Sequence, residues 1–178
     1  YPITWASPNP RMIMYPGKLK ISKSLRKTIR EEKFTMRIDT CFSQVIKHCA
    51  NIPRDNQAGT WITRDIQNAY IDLHESGYAH SFETFYKGRL VGGLYGVSLG
   101  RAFFGESMFH LMPDASKVAL YYLSDIAENN HFHFIDCQTP TPHLKRLGGI
   151  EVERKKFMEL LDKALKFKTI KGKWVSKR

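Results

Sequence analysis

Between residues 80 and 109 the chain reads His80-Ser-Phe-Glu-Thr-Phe-Tyr86, Lys87-Gly-Arg89, Leu90-Val-Gly-Gly-Leu-Tyr-Gly-Val-Ser98, Leu99-Gly-Arg101, Ala102-Phe-Phe-Gly-Glu-Ser-Met-Phe109. Three aromatic and aliphatic runs of strand length are separated by short breaks that contain glycine, which predicts three consecutive antiparallel strands. Lys87-Gly88-Arg89 reads as a hairpin turn between the first two. Gly92, Gly93 and Gly96 lack the spacing of a dinucleotide-binding loop; inside a strand they mark bulges or a close approach of backbone.

Helical periods flank these strands. Phe42, Val45, Ile46 and Cys49 recur at i, i+3, i+4, i+7, and so do Ile66, Ala69, Tyr70 and Leu73, with Thr63 or Asp65 as N-cap and Gly77 as a stop. Downstream, Ala119, Tyr122, Leu123 and Ile126 repeat the spacing behind an Asp114 cap, and Phe157, Leu160, Leu161 and Ala164 do so near the end. A fourth strand is expected over His131–Gln138, a short helix near His143–Leu147 and a strand near Ile150–Glu153. Three meandering strands followed by a strand–helix–strand crossover predict an α/β class, an α+β mixed sheet, mostly antiparallel and flanked by helices. That order is the one found in the GNAT (N-acetyltransferase-like) fold. Residues 1–33, with Pro2, Pro8, Pro10, Pro16 and Gly17, read as an extended lead-in followed by a basic helical stretch, the end of a longer N-terminal region. Residues 34–178 are expected to be the GNAT-like domain with a basic C-terminal tail.

The composition narrows the function. With 178 residues, 42% hydrophobic and 12% aromatic, the chain can bury one proper core. It carries no run of about 18 apolar residues, so no membrane span is expected. Cys41, Cys49 and Cys137 form no CxxC pair, which fits a reducing cytoplasm. A net charge of +11 is unevenly placed: residues 11–33 carry a surplus of +6 and residues 154–178 a surplus of +8, around a middle of −3. A near-neutral body with two basic ends suits a polyanion such as nucleic acid. There is no GxxxxGK[ST] loop for a nucleotide triphosphate. His131-Phe132-His133 places two imidazoles on one strand face but lacks a convincing third ligand, so no metal is expected. Cys137 is a better candidate for a small buried hydrophobe than for a nucleophile.

Two short segments offer chemistry. In His131-Phe-His-Phe-Ile-Asp-Cys-Gln138, alternation puts Asp136 and Gln138 on one face at the carboxyl end of a strand, where α/β sheets place their sites. The pair either holds an amine nucleophile or forms the polar mouth of a strand leading into Thr139-Pro140-Thr141-Pro142. In Gly105-Glu-Ser-Met-Phe109, Glu106 stands among Phe103, Phe104 and Phe109, and so either caps a buried polar network or faces a cleft. Trp61, just before a helix, either walls a pocket or staples the helix.

Together, Trp5-Ala-Ser-Pro-Asn-Pro-Arg11, Gly59-Thr-Trp-Ile-Thr63, His80-Ser-Phe-Glu83, Gly105–Phe109, Ala115-Ser-Lys117 and Ile135-Asp-Cys-Gln138 resemble the bacterial leucyl/phenylalanyl-tRNA–protein transferases, in the family's order and spacing from Trp5 to about Phe157. The resemblance implies transfer of Leu or Phe, with Met also considered, from aminoacyl-tRNA to the N-terminal Lys or Arg of proteins, marking them for N-degron degradation in the cytoplasm. It implies Asp136 and Gln138 as the catalytic pair, Glu106 as a substrate-binding carboxylate, and an apolar aminoacyl pocket on Trp61, Leu94, Phe103, Leu123 and Ile135. It departs at Leu94, where Met is expected, at Thr141, where Asn is common, and at Ala6, where a second tryptophan is frequent. Lys18, Lys20, Lys23, Arg26, Lys27, Arg30 and Lys33 would meet tRNA phosphates, with Lys20, Lys23, Lys27 and Arg30 sharing a face if residues 22–33 are helical. No cofactor is expected, and a monomer is. Two other readings are an acetyl-CoA-dependent acetyltransferase, against which Met112-Pro-Asp-Ala-Ser116 stands in place of the pyrophosphate loop, and a non-catalytic RNA-binding module, which leaves the Asp136–Gln138 strand end unexplained.

Overall fold

The computed structural model of the chain describes residues 6–53 and 59–175; Trp5, Lys177 and Arg178 lie outside them. In chain order the elements are β1 (Arg11–Met14), α1 (Lys23–Arg30), β2 (Thr35–Ile38), α2 (Phe42–Asn51), α3 (Arg64–Glu75), β3 (Ala79–Tyr86), β4 (Arg89–Leu99), β5 (Ala102–His110), α4 (Ala115–Asn129), β6 (Phe134–Gln138), α5 (Pro142–Arg146), β7 (Ile150–Val152) and α6 (Arg154–Leu165). The three aromatic runs are the antiparallel strands β3, β4 and β5. Their first turn takes left-handed φ at both Lys87 (49°) and Gly88 (76°), which matches the twist of a tight hairpin. Thr63 caps α3 by accepting from the Ile66 N–H, and Gly77 ends it at φ 78°.

These strands belong to one seven-stranded sheet of order β2-β3-β4-β5-β6-β1-β7. Only β5 and β6 run parallel, joined by α4 as the crossover; every other neighbouring pair is antiparallel. The mixed sheet flanked by helices is therefore as expected. α4 covers one face, packing Ala119, Leu120 and Leu123 on Phe82, Leu94, Phe103 and Ile135. α2 covers the other, with Phe42, Val45 and Ile46 against Tyr95 and Phe109. Gly92 is where the first turn of α4 meets β4: a Cβ there would collide with Ala115.

Three expectations change. The lead-in supplies a strand well inside the sheet: β1 lies between β6 and β7, because Met12, Ile13 and Met14 are all fully buried. The boundary drawn at residue 33 thus crosses a continuous sheet. β2, four mixed residues at the sheet edge, was not expected at all; its Thr-Met-Arg-Ile sequence is too short to show a period. Asp114 stands at the N-cap of α4 in a left-handed conformation but caps no N–H, and its carboxylate instead pairs with Lys117 at 2.9 Å.

The basic tail returns to the core. Trp174 stacks on His80 with ring centroids 4.0 Å apart, and its backbone N–H donates to Asp39 Oδ2 at 2.8 Å, the oxygen that also meets His80 Nδ1 at 2.8 Å. Phe82, Phe103 and Phe132 complete the ring cluster around it. Trp174→Ala should cost about 3–5 kcal/mol, as for other buried large aromatics. Urea denaturation checks this, and a loss below about 1 kcal/mol would mean that the tail contributes little to the fold.

Candidate active site

The polar residues of the site sit where the ladders are irregular. Along β4–β5, Tyr95 pairs with Ser107 and Gly96 with Gly105, so Glu106 is the extra residue of a β-bulge. Along β1–β6, Met12 pairs with Gln138 and Ile13 with Asp136, so Cys137 is likewise extra, and Gln138 adopts left-handed φ 62°. Bulges re-aim side chains that strict alternation would send elsewhere. The expected sharing of one face by Asp136 and Gln138 is therefore replaced by a turn at the strand end that folds Gln138 back toward β5.

Arg11, from β1, reaches across to Asp136. Its Nε lies 3.0 Å from both carboxylate oxygens and its terminal nitrogen 2.6 Å from Oδ2, while its plane rests 4.6 Å over the Phe157 ring. The same guanidinium donates to Ser7 Oγ, which also accepts from Arg154. Asp136 is fully buried, and its Oδ1 accepts the Gln138 backbone N–H at 2.9 Å. Both carboxylate oxygens are thus committed. The Gln138 side-chain amide donates to Gly105 O at 2.9 Å and to Glu106 Oε2 at 3.3 Å, which uses both its hydrogens and leaves its carbonyl oxygen as the acceptor. Tyr70 of α3 donates to Glu106 from its hydroxyl.

Beside this network lies a cavity of about 270 Å³ lined by Leu94, Met108, Leu120, Leu123, Ile135 and Leu144, with Glu106, Asp136, Cys137, Thr141 and His143 also on its wall. Of the residues that the resemblance implied for substrate binding, Leu94, Leu123, Ile135 and Glu106 line this cavity. Trp61 and Phe103 are not on the wall. Trp61 is 43% exposed ahead of α3, and Phe103 is fully buried one layer deeper, edge-on to Phe82. Sequence reasoning missed Arg11, Tyr70, Met108, Leu120 and His143. Arg11, alone in front of a three-residue buried run, was the available signal; Tyr70 was read only as a core position of its helix. Thr141 caps α5, accepting from the Leu144 N–H at 3.2 Å, a task that the commoner asparagine performs equally well.

The basic residues Lys18, Lys20, Lys23, Arg26, Lys27, Arg30 and Lys33 are all exposed. α1 is shorter than expected, ending before Glu32, whose φ of 47° breaks it. Lys23, Lys27 and Arg30 remain on its outer side, opposite the buried Leu25, while Lys20 and Lys33 flank it. His133 packs edge-on to Phe167, and among the described residues no three His, Cys, Asp or Glu side chains gather as a metal set. No helix among them is long and apolar enough to cross a membrane. Burial, then the Asp136 charge, pushes the Cys137 thiol up to about 12, so it is a neutral wall group rather than a nucleophile. The arrangement offers an apolar cavity, with an amide acceptor held by two residues of its wall.

Comparisons with known proteins give the family. The family model described as leucyl/phenylalanyl-tRNA protein transferase matches residues 13–162. A leucyl/phenylalanyl-tRNA–protein transferase of Legionella pneumophila (strain Lens) is 52% identical over 173 residues, 97% of this chain and 77% of that protein. One from Solidesulfovibrio magneticus is 50% identical over 177 residues, 99% of this chain and 72% of that one. The chain belongs to the leucyl/phenylalanyl-tRNA–protein transferase family, a family of aminoacyltransferases. Among solved structures, L-PGS from Bacillus licheniformis shares the fold with a TM-score of 0.50 at 9% identity, over 88% of this chain and 65% of that one.

The Glu106 carboxyl is raised above its usual range by burial, with the Asp136 charge adding and hydrogen bonds from Tyr70 and Gln138 and the Arg11 charge opposing. The folded state therefore holds this proton more tightly than the unfolded chain. Its stabilising contribution is complete below the unfolded value of about 4.3 and is lost as pH rises through the folded value. Glu106→Gln should accordingly melt higher than wild type at pH 7.5, with the gap closing as pH falls toward 4. A variant that melts lower at pH 7.5 would show that the hydrogen-bonded carboxylate is net stabilising.

Proposed function

We propose that this chain transfers Leu or Phe from the 3′ end of aminoacyl-tRNA to the N-terminal Lys or Arg of acceptor proteins, on a GNAT-like scaffold, and so feeds N-degron degradation in the cytoplasm. The observation that carries the reading is Gln138, whose amide is held by Gly105 and Glu106, two residues on the wall of the apolar cavity. The parallel β5–α4–β6 crossover after an antiparallel meander supports the GNAT-like assignment.

The donor's side chain enters the cavity between Leu94, Leu123 and Ile135, which favours Leu and Phe by burial of apolar surface; each methylene there is worth about 1–3 kcal/mol. An α-amino group has a pKa of about 7.7–8.0, so a useful fraction of acceptor is neutral at physiological pH. Its N–H donates to the Gln138 carbonyl oxygen, which orients the nitrogen lone pair at the ester carbonyl. The new C–N bond forms, the ester C–O bond breaks, and the proton shed by nitrogen ends on the leaving ribose oxygen. Gln138 is too weak a base to keep that proton; it positions the amine. Asp136 serves by holding the Gln138 backbone, since both its oxygens are occupied. Glu106 attracts the cationic groups of donor or acceptor.

Incubation with radiolabelled Leu-tRNA or Phe-tRNA and a peptide beginning with Arg should yield labelled peptide; none would refute the reading. In the same assay Gln138→Ala and Asp136→Ala should each lower transfer at least about tenfold, or roughly 1.4 kcal/mol of barrier. Wild-type rates in folded variants would remove both residues from the mechanism. Replacing Lys23, Lys27 and Arg30 with Ala should weaken tRNA binding irrespective of sequence and flatten its salt dependence. Filter binding over a salt series checks this, and an unchanged slope would move the tRNA contact off α1.

A further inference from the structure

A second cavity, of about 390 Å³, lies between the start of α1, the first turn of α4 and α5. Its wall carries Lys20, Ser22, Lys117, His143 and Arg146. His143 is also on the wall of the apolar cavity, so the two spaces meet at this one side chain. The second cavity is as basic as the first is apolar: three permanent cations line it and no carboxylate does. Asp114, outside this wall, pairs with Lys117 at 2.9 Å and leaves that ammonium two further donors. At its other side Lys20 leads onto the exposed cations of α1. An apolar cavity, a shared imidazole, a basic cavity and a basic helix thus form a continuous track.

We propose that the basic cavity binds the phosphodiester linkages of the single-stranded 3′ end of the donor RNA, immediately before its aminoacylated terminal nucleoside. Lys117 and Arg146 take the phosphates, and His143 stands at the terminal ribose, where the nucleoside passes from one cavity to the other. The burial of His143 and the charges of Lys117, Arg146 and His110 lower its pKa, so it meets a ribose hydroxyl as a neutral imidazole able both to donate and to accept. The inference rests on the transferase reading, and it separates contacts to the single-stranded end in this cavity from the tRNA phosphate contacts assigned to α1.

The test compares two donors that differ only in those linkages: phenylalanyl-adenosine, and a CCA trinucleotide carrying phenylalanine at its 3′ end. Wild type should prefer the trinucleotide. In Lys117→Gln/Arg146→Gln the ratio of kcat/KM for trinucleotide over nucleoside should fall at least about tenfold, the least that losing two charge-assisted contacts would give. The salt slope of trinucleotide KM should drop by about 1 to 1.5, at about 0.7 for each single-strand phosphate contact. Activity on the nucleoside reports the fold of the variant. An unchanged ratio, or equal losses on both donors, would overturn the proposal while leaving the transferase reading intact. Failure of wild type to use either donor would overturn both.

Discussion

The buried pair of Arg11 and Asp136 is the constraint on which the site depends. Arg11 is only 14% exposed and Asp136 not at all, so the attraction acts in a medium where removing either partner would strand a charge at a cost of about 3–5 kcal/mol. The pair ties β1 to β6 across the sheet. It also holds Asp136 at the angle from which its Oδ1 reaches the Gln138 N–H, and so keeps a non-glycine residue in a left-handed conformation that L side chains resist. Phe157 lies against the guanidinium and brings α6 into the same arrangement.

Strain and bulges then do what a regular sheet cannot. A straight β5 would send Glu106 to one face by alternation, and a straight β6 would do the same for Gln138. With one extra residue in each strand, the two side chains meet at 3.3 Å. Tyr70 approaches Glu106 from α3, so a helix and the neighbouring strand β6 converge on one carboxylate. Because every donor of the Gln138 amide is used, its remaining acceptor is fixed in space before any substrate arrives, which is the form of preorganisation that a positioning enzyme requires.

Charge is laid out to match. The apolar cavity and the buried acids occupy the near-neutral middle of the chain, and the cations lie along α1, at the basic cavity and toward the tail. A polyanion can therefore be held by contacts that never enter the apolar cavity. Trp174 shows that the basic tail is not only electrostatic: it closes the core over His80 and Phe103, the layer directly behind the cavity wall.

Local pattern was enough for much of this. The hairpin at Lys87-Gly88, the helices behind Thr63 and Ala115, and the parallel crossover were legible because amphipathic period and turn chemistry are properties of neighbouring residues. The chemistry at Asp136, Gln138 and Glu106 was legible because polar residues interrupt apolar runs there. β1 was not, since Met12-Ile-Met14 shows no alternation and its place between β6 and β7 arises from partners more than a hundred residues away. Nor could the sequence tell that Trp61 and Phe103 stand off the cavity, or that Arg11 occupies Asp136. Register, bulges and ion pairs are decided by packing between distant segments, and only the tertiary structure sets them.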